Sequence, residues 1–162
     1  MTTFTVWKYD DPDGAEQAAS ILRGAASDGI IKVLDHAVVS WPVGDPHPRT
    51  KHSHEDTWTG TTWGAFIGLA VGALFAVPLL GVAAGAGVGA LHKISEGIGI
   101  TKEDLDRIRS QITEGTSALF VVTDQGDLDR VAERFHGMPT TLVDSNLTEP
   151  EREAVLEAFG KA

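Results

Sequence analysis

Residues 6–22 read VWKYDDPDGAEQAASIL. The run from Phe4 to Tyr9 is rich in β-branched and aromatic residues and ends in Asp10-Asp11-Pro12-Asp13-Gly14, the chemistry of a turn and a helix start. Ala15, Ala18, Ala19, Leu22, Ala25 and Ala26 then recur at helical spacing until Gly29 closes the pattern. The stretch therefore predicts a strand, a tight turn and a helix. A second strand is expected from Ile30 to Trp41.

The same order returns at residues 119–135, LFVVTDQGDLDRVAERF, where a strand runs into an acidic turn and then a helix. Ser117 to Thr123 has the composition of a buried strand. Leu128, Val131, Ala132 and Phe135 mark one face of a helix, Gly137 stops it, and Thr140 to Val143 supplies a last short strand. Two strand–helix–strand units predict an α+β, ferredoxin-like sandwich, with both helices on one face of a four-stranded sheet. Its open face would leave Trp7, Tyr9 and Trp41 in water, and a second copy of the chain is the simplest cover.

Two further helices flank these units. Thr101 to Glu114 carries an N-cap threonine, acidic residues in its first turn and Leu105, Ile108 and Ile112 on one face. Thr148 with Glu151 has capping-box spacing ahead of a C-terminal helix bearing Val155, Leu156 and Phe159. The expected organisation is a head from residues 1–41 and 117–147, a His/Pro-rich connector over 42–62, an apolar hairpin over 63–94, a linker and helix over 95–116, and a C-terminal helix over 148–162.

The hairpin is the unusual part. Residues 64–90 read GAFIGLAVGALFAVPLLGVAAGAGVGA, with Gly64, Gly68 and Gly72 four apart and Gly81, Gly85 and Gly89 likewise. On a helix each trio forms a stripe without side chains that lets another helix approach closely. Each glycine weakens an isolated helix by roughly 1 kcal/mol relative to alanine, so packing must compensate. Pro78 falls between the trios and should bend or break the helix. A glycine-zipper helical hairpin results, with these six glycines and Pro78 as its oligomerisation residues.

The uncharged run from Thr57 to Leu91 is about 35 residues, against about 20 for one membrane span. A single crossing would separate the two halves of the head, whereas a hairpin keeps them together. Arg49 and Lys51 before it and Lys93 after it suit a cytoplasmic base. Each arm of about 17 residues is about 25 Å long, slightly short of a full crossing. The tip, Ala76-Val77-Pro78-Leu79-Leu80, is wholly apolar, so it should stay buried in lipid or in the shared core of an oligomer. A core hairpin of a monomer is the plainer reading, but a domain this small offers too little apolar surface to surround it. Gly85-Ala86-Gly87-Val88-Gly89-Ala90 imitates a dinucleotide fingerprint, yet it lacks a preceding strand and the glycine period accounts for it.

This order of features resembles the bacterial domain-of-unknown-function family twelve-sixty-nine. The resemblance is carried by Asp35-His36-Ala37-Val38-Val39, by Val77-Pro78-Leu79-Leu80-Gly81 in the glycine-rich segment, and by Gly97-Ile98-Gly99-Ile100 leading to Gly115-Thr116-Ser117-Ala118-Leu119-Phe120-Val121-Val122, and it covers nearly the whole chain. It implies membrane association. It implies no reaction, cofactor or catalytic residue.

Candidates for chemistry are few. Residues 46–56, PHPRTKHSHED, gather three of the six histidines. His52 and His54, with Glu55 or Asp56 completing the site, could ligate a divalent metal, although the spacing fits no tight zinc pattern and a solvated connector explains the composition better. Imidazoles beside carboxylates could also make the connector pH-dependent. Asp10, Asp11 and Asp13 lack the downstream glutamate of a calcium loop and read as helix-start residues. Ser117 and His136 stand alone, and His36 and His92 read as packing or capping residues. No cofactor and no enzymatic activity are expected.

The net charge of −10 is shared by acidic flanks, 5 Lys and Arg against 9 Asp and Glu in residues 1–60 and 8 against 14 in residues 92–162. That field repels phosphate backbones, so nucleic acid is not an expected partner. The absence of cysteine excludes disulfides, thiolate metal sites and cysteine nucleophiles. The N-terminal MTTFTVWKYDD has neither a basic nor an apolar signal region, so no cleaved signal peptide is expected and the Asn146-Leu147-Thr148 sequon reads as chance. The expected function is that of a non-enzymatic, membrane-associated homo-oligomer with structural or scaffolding character and heads on the cytoplasmic side. The alternative is a soluble cytoplasmic cage or ring whose hairpins fill its own core and which binds a metal or small ligand.

Overall fold

A computed structural model describes residues 3–52, 101–124 and 126–160 of the 162-residue chain. Among these residues the fold is α+β, a five-stranded antiparallel sheet with four helices. In chain order they are β1 (Thr3–Tyr9), α1 (Gly14–Ser27), β2 (Lys32–Ser40), β3 (Arg49–His52), α2 (Lys102–Gln111), β4 (Ser117–Asp124), α3 (Leu128–Arg134), β5 (Thr141–Ser145) and α4 (Glu149–Gly160). The strand order is β3-β2-β4-β1-β5. β4, from the second half of the chain, thus lies between β2 and β1 from the first half.

The turn at residues 10–14 joins β1 to α1 as its composition predicts. Asp11 accepts a hydrogen bond from the Asp13 amide, and Gly14 brings the first turn of α1 against Tyr9, where a Cβ would sit 2.5 Å from the Tyr9 Cβ. Ala15, Ala18, Ala19, Leu22 and Ala25 bury one face of the helix against the sheet. Gly29 closes it at φ 74°, a conformation that L side chains rarely adopt.

Residues 49–52 were expected inside a solvated connector, and they form β3 instead, paired with β2 from Ala37↔His52 to Ser40↔Arg49. Arg-Thr-Lys-His has no apolar alternation to announce a strand. Pairing with β2 makes it one, and its charges suit a sheet edge that must not recruit further strands. Arg49 pairs with Asp45 at 3.0 Å and Lys51 with Glu16 at 3.3 Å.

Two β-bulges decide which side chains face which way. β1 and β4 pair without interruption from Thr3↔Thr123 to Tyr9↔Ser117, so Thr3, Thr5, Trp7 and Tyr9 share a face with Leu119, Val121 and Thr123. On that face Trp7, Leu119 and Val121 join one apolar cluster with Leu22 of α1, Val131 of α3 and Val155 of α4. Between Val6 and Trp7 the β1–β5 register shifts, leaving Val143 as the extra residue and turning Asp144 to the opposite face beside Val6. A matching shift between Val33 and Asp35 turns Asp35 to that face too.

The opposite face carries Phe4, Val6, Ala37, Val39, Ala118, Phe120 and Val122, all fully buried, with the Phe4 and Phe120 rings 6.5 Å apart. α2 packs on this side beside β5 through its Leu105 and Ile108. The expectation of an open face exposing Trp7, Tyr9 and Trp41 to a second copy is therefore corrected. Trp7 and Tyr9 face the helices and are buried, and the half-buried Trp41 donates its indole N–H to the Asp45 carbonyl. The alternation along β1 puts odd residues under α1, and aromatic content alone does not say which face receives a helix.

α2 begins where expected, capped by a reciprocal pair in which the Asp104 amide donates to Thr101 Oγ1 and the Thr101 amide to Asp104 Oδ2. It ends before Ile112, which adopts an extended conformation, rather than running to Glu114. At α4, Glu151 Oε2 accepts from both the amide and the hydroxyl of Thr148. Val155 and Phe159 face the core as expected, whereas Leu156 is 45% exposed.

Candidate functional site

The alternate side chains of β1 and β4 line a cavity of about 70 Å³ between the sheet and the helices α1, α3 and α4. Its walls are almost wholly apolar, with Trp7, Leu119, Val121, Val131, Phe135 and Phe159 among them. Phe159 packs over Trp7 with ring centroids 4.7 Å apart and over Phe135 at 5.6 Å, so the last turn of α4 roofs the space. The Trp7 indole N–H is satisfied by Thr5 Oγ1 at 2.9 Å. At one end lie Thr3 and Thr123, cross-strand partners, beside Leu128, which is 39% exposed. The other end is closed by Leu22 and by Tyr9, which is 3% exposed and whose phenol burial pushes far above its ordinary pKa.

A second feature lies on the opposite face. Asp144 is 2% exposed, its Oδ1 accepts from the Ser145 amide at 2.8 Å, and its Oδ2 has no hydrogen-bond partner among the described residues. Arg107 approaches Oδ1 only to 3.8 Å while also pairing with Asp104 at 3.4 Å. Burial raises the Asp144 pKa above its ordinary value, and Asp104 adds to the rise. The Ser145 amide, Arg107 and Arg152 pull in the other direction.

Ser117, a lone candidate nucleophile by sequence, is fully buried; its hydroxyl donates to the Asp11 carbonyl at 2.6 Å and accepts from the Ala15 amide at 2.9 Å. It fastens the start of α1 to the central strand, and Ser40 Oγ ties the same turn to β2 by donating to the Pro12 carbonyl at 2.6 Å. His136 is exposed just beyond α3, away from Ser117 in the chain and in the fold's element order. Of the expected metal ligands, His52 ends β3, and His54, Glu55 and Asp56 lie outside the described residues. Gly64, Gly68, Gly72, Pro78, Gly81, Gly85 and Gly89 lie outside them as well.

Sequence reasoning missed both the cavity and Asp144. The cavity forms where side chains from seven elements and connections converge, which no local pattern records. Asp144 left a faint signal as a carboxylate inside the strand TLVDS, but only the bulge turns it inward.

An antiparallel sheet with helices on both faces and a long uncharged segment inserted between its halves defines the class of protein. The family model for proteins of unknown function, DUF1269, matches residues 61–160, and the chain belongs to that family. The match begins after β3, so Asp35-His36-Ala37-Val38-Val39 lies outside it and the resemblance spans less of the chain than expected. No curated protein and no solved structure matches the chain.

Proposed function

We propose that the protein is a non-enzymatic, membrane-associated homo-oligomer, in which ferredoxin-like heads hold glycine-zipper hairpins together on the cytoplasmic side of a bilayer. One observation carries this reading. β2, which precedes the uncharged segment, and β4, which follows it, are hydrogen-bonded neighbours from Lys32↔Asp124 to Ser40↔Ser117. The chain therefore leaves the head after β3 and returns to the same head at α2. A single crossing would have to tear this sheet in two, so a membrane-inserted segment must enter and leave on one side.

The ferredoxin-like reading is supported by the order of the four long strands, β2-β4-β1-β5, with α1 and α3 as the two connections and β3 added at one edge. Arg49 and Lys51 before the segment and Lys93 after it favour a cytoplasmic base. The glycines at four-residue spacing favour helix–helix contact over isolated insertion. No helix among the described residues is long and apolar enough to cross a membrane, and the segment in question lies outside them.

Fractionation of expressing cells, followed by light scattering of the purified chain with and without detergent, tests the proposal. Recovery from membranes as a discrete multimer that collapses when detergent is withdrawn is the expected result. A discrete multimer from the soluble fraction would replace the bilayer with the oligomer's own core, and a soluble monomer would overturn both.

A further inference from the structure

We infer that α2 is a proton-controlled latch, closed on the sheet while the buried carboxyl of Asp144 holds a proton and released from β5 when that carboxyl ionises. This holds wherever the glycine-rich segment is housed. The bulge between Val6 and Trp7 turns Asp144 to the face that α2 covers, where it is 2% exposed. Its Oδ1 accepts from the Ser145 amide, and its Oδ2 has no hydrogen-bond partner among the described residues. Ionisation therefore places charge on a buried oxygen that no donor meets. Three charged groups among the described residues face it. Arg107 of α2 stands 3.8 Å from Oδ1, beyond hydrogen-bond reach, and is shared with Asp104 of the same helix at 3.4 Å. Its side chain is 49% exposed, so water screens much of its charge. Asp104 repels the Asp144 carboxylate, and Arg152 of α4 attracts it without forming an ion pair. One shared, half-hydrated guanidinium thus stands against two carboxylates.

Water reaches Oδ2 only if an element moves, and α2 is the lightly held one. Of its described side chains only Leu105 and Ile108 are buried. Ile112 leaves the helix in extended backbone and stays buried, a fixed pivot at the C-terminal end. β5, by contrast, is paired with β1 from Thr5↔Ser145 to Lys8↔Thr141 and buries Leu142 and Val143. Burial raises the Asp144 pKa, so the carboxyl gives up its proton more readily once the helix lifts. Between the exposed value of 3.8 and the higher value of the closed form, lifting α2 releases a proton, and rising pH favours the lifted state. α2 is also where the chain re-enters the head after the glycine-rich segment. One carboxyl thereby sets how firmly the end of that segment is tied to the sheet.

Hydrogen–deuterium exchange of the full-length protein in mild detergent, read by mass spectrometry and corrected for the intrinsic pH dependence of amide exchange, tests the latch. As pH rises above 3.8, protection of the α2 amides should fall by up to about tenfold per pH unit, the slope of a single proton, and then level off. Protection of β4 and β5 should stay constant over the same range. Asp144→Asn cannot ionise and keeps an oxygen for the Ser145 amide, so it should hold α2 closed at every pH. Arg107→Gln, at a half-exposed site, removes the nearest cation and should carry the fall to higher pH. This second variant serves if the first does not fold. A rise in α2 protection with pH would overturn the inference in favour of the helix cap, because the charge of Asp104 strengthens the first turn of α2. So would protection that ignores pH, a fall that persists in Asp144→Asn or ends at the same pH in Arg107→Gln, or equal losses in α2 and β5.

Discussion

Tyr9 is the sole tyrosine of the chain, so its ionisation can be watched without interference. Burial holds its phenol neutral well above the 10.0 of an exposed tyrosine. Above pH 10 the unfolded chain loses a proton that the native chain keeps, so native stability falls as pH rises beyond that point. The tyrosinate absorbance band should therefore appear only together with loss of the circular dichroism of the fold. A clean titration step at the ordinary value in the folded protein would show that the phenol reaches water.

Asp144 runs in the opposite direction from most native carboxylates. Its pKa is raised above the 3.8 of the unfolded chain, so as pH climbs from 3.8 through the native value the unfolded state releases its proton first and the native state loses stability. Asp144→Asn removes the titration but keeps an oxygen for the Ser145 amide. Its stability relative to the unsubstituted protein should rise as pH climbs above 3.8 in urea denaturation. A difference that stays flat over that range would mean that Arg107 already balances the charge.

At the scale of elements, α2 shows how a short helix is held in place. Its ten residues fall below the length at which an isolated helix persists, so the reciprocal cap between Thr101 and Asp104 and the burial of Leu105 and Ile108 must sustain it. Thr101→Ala should cost about 1 kcal/mol, with faster amide exchange in the first turn of α2 and unchanged exchange in β4. Equal losses in helix and strand would mean that α2 and the sheet open as one unit. The cap was legible in the sequence because Thr101 and Asp104 stand at fixed spacing and bond within one turn. The end of the helix was not, because Ile112 leaves it to bury its side chain. β3 was hidden for the same kind of reason, its pairing being supplied by β2 rather than by its own composition.

At the scale of the whole molecule, the sheet interleaves strands from before and after the glycine-rich segment, so substitutions in that segment leave every strand and helix of the described fold unaltered in sequence. If glycine stripes drive assembly, Gly68→Leu with Gly85→Leu should reduce the native mass in light scattering while the circular dichroism of the head stays unchanged. An unchanged particle size in the double variant would remove the zipper from the proposal.

The sequence by itself determined the α+β alternation, the turn at residues 10–14, the capped starts of α2 and α4, the glycine stops after α1 and α3, and membership of the family. All of these rest on interactions between residues a few positions apart, where spacing and chemistry suffice. Tertiary structure decided the rest. It chose which face of β1 carries Trp7 and Tyr9, placed β4 between β2 and β1, recruited residues 49–52 as an edge strand, turned Asp144 inward at a bulge, and left an apolar cavity under Phe159. Each of these depends on partners far apart in the chain, and a one-residue shift in register reverses every facing side chain without altering any local pattern.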